Sequence, residues 1–107
     1  MAQNDPPRPP DAVLRVAPKL HELTQQVLFG DVWERSELSK RDRSLITCAA
    51  LVALYRPDQL RFHAKLALTN GVTREELGEL ITHIAFYAGW PCGVQASQAV
   101  DQALSER

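Results

Sequence analysis

The chain has 107 residues, a formal net charge of −1, 45% hydrophobic residues and two cysteines. A chain of that length makes one small domain and leaves much apolar surface hard to cover, while the balanced charge excludes the basic stripe of a nucleic-acid binder. Cys48 and Cys92 form no C-x-x-C or zinc spacing, and no run approaches the ~20 apolar residues of a membrane span.

The opening stretch, MAQNDPPRPPD, holds four of the seven prolines. It lacks the basic-then-apolar pattern of a signal peptide, so a soluble, cytoplasmic protein with reduced thiols is expected. Residues 1–11 read as a flexible arm, and residues 12–107 as the domain. Pro18 suits the first turn of a helix. Leu20, Leu23, Val27 and Leu28 follow at helical spacing, and Gly30 loosens or ends that helix.

Ser39 is a good N-cap, with Asp42 in the first turn behind it. The helix it opens contains LITCAALVALY, residues 45–55, in which only Thr47 is clearly polar. A helix apolar all round must be buried all round. A chain of this size struggles to surround it alone, which points to burial against other subunits. Pro57 opens the next helix, which runs to about Asn70, and Gly71 is free to take the left-handed backbone that ends it. Thr73 and Glu76 spell a capping box for the helix after that. Leu77, Leu80, Ile81, Ile84 and Ala88 line one side of it, and Gly89-Trp90-Pro91 stops it. A last helix covers about residues 92–105. The expected fold is all-α: a compact helical bundle of about five helices, with a central helical hairpin turning at 70–73.

The titratable candidates lie on that hairpin. His63 sits within LRFHAKL, flanked in sequence by the cations Arg61 and Lys65. His83 lies on the second arm, level with His63 to within about 5 Å at 1.5 Å rise per residue. The two share a pocket if their faces agree; otherwise His83 packs at a subunit contact. His21 lies in a polar stretch and reads as structural. No H-E-x-x-H spacing, G-x-S-x-G elbow or glycine-rich phosphate loop occurs, so no metal, serine-hydrolase or nucleotide site is expected. What remains is a set of cations, Arg41, Arg43, Arg56, Arg61 and Lys65, around one or two histidines in an apolar frame. Such a set suits a small anionic substrate.

Several segments together resemble the carboxymuconolactone decarboxylase family. They are R-S-L-I-T at 43–47, L-R-x-H at 60–63, N-G-x-T-x-E-E at 70–76 and Y-x-G-x-P at 87–91. The resemblance covers about residues 18–105. It implies an all-α protein that assembles into a ring, a homo-trimer or homo-hexamer, with sites near subunit interfaces. The redox branch of that family uses a glutamate, a C-x-x-C pair and a histidine. Aligned on His63, those positions hold Ser44, Arg56 and Gln59, so thiol peroxidase chemistry is not expected.

The resemblance to the decarboxylase branch implies conversion of 4-carboxymuconolactone to 3-oxoadipate enol-lactone and CO2, in aromatic-acid catabolism, with no cofactor. His63, with His83 second, becomes the candidate for catalysis. Arg43, Ser44, Arg56 and Arg61 become candidates for binding the substrate. Arginines suit carboxylates and a developing oxyanion, and a near-neutral histidine suits proton delivery to carbon. Arg61 and Lys65 are then expected to keep His63 neutral until a dianion arrives. The alternatives are a non-catalytic oligomeric binding protein of the same family and, further off, a thiol-linked antioxidant protein.

Overall fold

Six α-helices run through residues 7–105, the part of the chain that the structure, a computed structural model, describes. Most of the arm expected over residues 1–11 lies outside the described residues. No strand occurs among the described residues, and no helix there is long and apolar enough to cross a membrane. Residues up to Lys40 form one compact unit and those from Arg41 onward form another.

The first unit holds α1 (Asp11–Val16) and α2 (Pro18–Leu23). The sequence pattern gave no helix before Pro18. Asp11 in the first turn and Arg15 in the last match the helix dipole, and Pro10 precedes them at a position where no helical N–H is needed. The pattern also suggested one continuous helix from Pro18 towards Gly30. Instead the backbone widens after Leu23 into a π-helical turn, Thr24–Leu28. There the Phe29 N–H donates to the Thr24 carbonyl at 3.0 Å. Gly30 closes this turn for a steric reason: a Cβ there would lie 2.6 Å from the carbonyl oxygen of Gln25. A short 3-10 turn, Val32–Glu34, then carries the buried Trp33, whose ring centre is 5.5 Å from that of Phe29.

The second unit carries the site. Helix α3 (Lys40–Ala53) begins directly after Ser39. Its end is marked by Tyr55, whose φ of 60° puts a bulky residue in the left-handed region. Pro57 then opens α4 (Pro57–Thr69), and Gly71, with φ of 102°, ends the turn that follows Asn70. Helix α5 (Arg74–Ala88) has its full capping box: Thr73 accepts from the Glu76 N–H at 3.1 Å and its own N–H donates to the Glu76 carboxylate at 2.9 Å. Gly89, with φ of 110°, stops α5 by itself. Trp90 and Pro91, expected to be part of that stop, instead form the first turn of α6 (Trp90–Ser105), because proline fits where the N–H has no helical partner.

The core of this unit joins Cys48 and Val52 of α3, Leu60, Ala64 and Ala67 of α4, Leu77 and Ile81 of α5, and Ala96, Ala99, Val100 and Leu104 of α6. The small residues of α6 let it approach closely. A Cβ on Gly93 would lie 2.9 Å from that of Ala85 on α5. Helix α6 packs extensively against both α4 and α5. The two arms of the 70–73 turn are therefore held by a third helix, which is a different arrangement from a simple hairpin. Helix α3 is only partly covered: Ser44, Cys48 and Val52 are buried, while Ile46 is exposed, as is Leu54 just beyond its end.

Candidate functional site

His63 sits in the middle of α4, half-buried beside the fully buried Ala64. Its Nδ1 is buried and its ring meets Phe62 edge-on, with centres 4.9 Å apart. Burial pushes its pKa below the ordinary value of 6.5, because the charged ring loses water. This corrects the expectation that Arg61 and Lys65 keep it neutral. Residues two apart on a helix lie about 160° apart around the axis. Arg61 therefore lies across the buried stripe from His63. Its guanidinium donates to Asp58 at 2.5 Å and to Gln102 of α6 at 3.4 Å. Lys65 is exposed on the same side as Arg61.

The other expected substrate-binding residues are placed unequally. Arg43 is half-buried on α3 with its Nε atom buried. Arg56 is exposed at the start of α4, where its guanidinium donates to the Leu54 carbonyl at 3.1 Å. It stands about 10 Å before His63 along the axis, at the positive end of the helix dipole. Ser44 is fully buried and accepts a hydrogen bond from the Asn70 side chain at 3.0 Å. That bond ties α3 to the C-terminal end of α4 and leaves the hydroxyl closed to a ligand.

His83 is exposed and belongs to a different place. It lines an open cavity of about 480 Å³ between α3 and α5, together with Leu45, Ile46, Ala49, Leu80 and Ile84. Glu76 and Glu79 complete its edge. His63 is not part of that lining. The two histidines differ in burial: His63 is half-buried on α4 and His83 is exposed on α5. The acidic edge is visible in the sequence as Glu76, Glu79 and His83 at i, i+3 and i+7, a spacing that matches no metal-binding motif.

Glu76 also pairs with Arg41, joining α3 to α5. The Thr73 N–H, together with the charge of Arg41, holds its carboxyl below the ordinary glutamate value of 4.5. A carboxylate with a lowered folded pKa stabilises the fold fully above its unfolded pKa and stops doing so as pH falls through the folded value. The urea midpoint is accordingly expected to fall between roughly pH 6 and pH 3, and Glu76→Gln to flatten part of that fall. An equal fall in the variant would show that the Glu76 contacts contribute nothing to it.

Both cysteines are free thiols. Cys48 is fully buried, and burial pushes its pKa up to about 11. Cys92 is half-buried, with its sulfur 3.9 Å from the Ala53 carbonyl oxygen. Among the described residues no group of three or more His, Cys, Asp or Glu side chains is placed to hold a metal ion.

Residues 18–102 match the model of the carboxymuconolactone decarboxylase family. Over 78 residues, 73% of this chain, the sequence is 42% identical to a 4-carboxymuconolactone decarboxylase of Acinetobacter baylyi. Over 85 residues it is 31% identical to the nitrosuccinic acid decarboxylase npaB of Metarhizium robertsii. The matches span 58% and 59% of those relatives' lengths. The chain belongs to the carboxymuconolactone decarboxylase family.

Proposed function

We propose that this protein is a decarboxylase that removes CO2 from a small anionic carboxylic acid without a cofactor, with 4-carboxymuconolactone as the first substrate to test. The observation that carries the reading is His63: a half-buried imidazole, neutral near pH 7, in a chain whose two relatives above are both named decarboxylases. In the lactone the bond between the ring carbon and the carboxylate breaks and CO2 leaves. The electron pair flows through the ring double bond into the lactone carbonyl, giving a dienolate. A proton must then reach a ring carbon, and the product is the enol-lactone.

His63 has the role of moving that proton. A neutral ring accepts a proton when a dianion raises its pKa, and returns it to carbon. Arg43 and Arg56 are assigned to the carboxylates and the dienolate oxygen, by charge and bidentate hydrogen bonds. Arg61 is assigned to holding α4 on α6, since Asp58 and Gln102 already engage its guanidinium. The reading includes assembly into a homo-trimer or homo-hexamer, supported by the exposed Ile46 on the apolar helix α3 and the exposed Leu54 just beyond it.

The test is incubation with 4-carboxymuconolactone and, separately, nitrosuccinate, following substrate loss and CO2 release. Turnover of neither acid by the assembled protein would overturn the reading. The raised thiol pKa of the buried Cys48 argues against redox chemistry there. Cys92→Ala is therefore expected to keep most of the decarboxylase activity. Loss of activity in that variant, with its helical content intact, would reopen the thiol reading.

A further inference from the structure

Helices α3 and α4 end through the same hydrogen bonds but with different residues. After α4, the Gly71 N–H donates to the Leu68 carbonyl at 3.1 Å and the Val72 N–H to the Ala67 carbonyl at 2.9 Å. After α3, the Tyr55 N–H donates to the Val52 carbonyl at 3.2 Å and the Arg56 N–H to the Leu51 carbonyl at 2.9 Å. This nested pair is the Schellman motif. It needs a left-handed residue just past the helix and favours an apolar residue after it. Gly71 and Val72 suit both positions: Gly71 has φ of 102°, and Val72 is buried. Tyr55 and Arg56 suit neither. Tyr55 holds φ of 60° with a bulky side chain, and Arg56 puts an exposed charge where Val72 makes an apolar contact.

Packing does not offset that cost. Tyr55 is 52% exposed, and a left-handed backbone is unfavourable for a side chain with a Cβ. A strained residue that packing does not hold points to function. Its neighbour says which. The Arg56 guanidinium folds back over the same turn and donates to the Leu54 carbonyl at 3.1 Å. A guanidinium carries five N–H donors in a planar fork, so this one bond aims it without filling it. The carbonyl belongs to the peptide that joins Leu54 to Tyr55, so the left-handed φ of Tyr55 helps set where Arg56 is held.

We propose that Tyr55 is a further substrate-binding residue: its phenol O–H and the Arg56 guanidinium take the same carboxylate of the anionic acid. The Cα atoms of the two are about 3.8 Å apart across one peptide bond, and both side chains are long. A carboxylate has two oxygens and about four lone-pair sites, enough for a guanidinium fork and a hydroxyl together. The O–H bond to a charged oxygen is short and strong, and it adds direction to the attraction of the arginine. The proposal rests on the assignment of Arg56 to a carboxylate given above. It also explains why the chain places glycine after α4 and tyrosine after α3: only the second turn has a ligand to hold.

The experiment is steady-state kinetics with 4-carboxymuconolactone, joined to calorimetric titration of the same lactone into His63→Gln, which keeps the site without turnover. Tyr55→Phe is expected to raise KM, and Kd in the His63→Gln background, by about 10-fold or more, the loss of one hydrogen bond to a charged group. Its kcat changes less than its KM, and its urea midpoint is unchanged. Tyr55→Gly is expected to raise KM at least as far and also to raise the urea midpoint, because glycine takes a left-handed φ without strain. Stability gained and affinity lost at one position mark a binding residue, since removing a packing residue lowers stability. KM and Kd unchanged in Tyr55→Phe, with wild type turning the lactone over, overturn this contact and leave the decarboxylase reading standing. A wild type that neither turns over nor binds the lactone or nitrosuccinate overturns both.

Discussion

His63→Ala is expected to lower kcat for the decarboxylation by about 10²–10⁴-fold, the range lost when a general acid–base group is removed. The expectation joins three observations. The ring is half-buried, burial keeps it neutral, and its Nδ1 lies within the protein, so one face is fixed by packing. His63→Gln separates chemistry from packing. Glutamine fills a similar volume and can still hydrogen-bond, but it does not titrate. The variant is expected to keep its helical content and its mass while losing the proton transfer. Turnover near the wild-type rate in His63→Gln would make the ring a packing residue. His83→Gln is the internal control. Because His83 is exposed and lines the α3–α5 cavity, of whose lining His63 is not part, its loss is expected to alter kcat far less.

Leu60→Ala is expected to lower the stability of the fold by about 2–5 kcal/mol, measured from urea unfolding. Leu60 is among the largest fully buried side chains and lies in the core that α4 shares with α6. Truncation removes transfer energy and leaves a cavity that α6, already close-packed through its alanines, has little freedom to fill. A loss of this size is a large part of the 5–15 kcal/mol that holds a typical domain together. Gln59→Ala, one residue earlier and exposed, is expected to change stability by no more than about 0.5 kcal/mol. A cost below about 1 kcal/mol at Leu60 would mean that α4 is not seated on α6 as described.

The sequence by itself determined the helices of the second unit, because their ends are written in local chemistry. Pro57, Gly71, the Thr73–Glu76 capping box and Gly89 each act within a few residues, through a fixed φ, a left-handed φ or a hydrogen bond across one turn. The family was legible for a similar reason, since its motifs are short runs of adjacent residues. Where local signals were weaker the pattern fell short. Helix α1 starts at the last residue of the expected arm, before the first expected helix, the π-helical turn interrupts an apolar period, and Pro91 lies in the first turn of a helix where it was expected to end one.

Only the tertiary structure decided which side chains meet. Periodicity placed His63 and His83 at nearly the same height along two neighbouring helices. It does not contain the rotation of each helix about its own axis, which packing against α6 sets. That rotation sends His83 to the cavity with Glu76 and Glu79, and brings Arg61 to Gln102 of α6. Ser44 shows the same division. Its place in R-S-L-I-T suggested a ligand contact, and the approach of Asn70, 26 residues later, turned it into a buried tie between two helices. Contacts between residues far apart in the chain depend on how whole helix faces fit, and no short stretch of sequence carries that information.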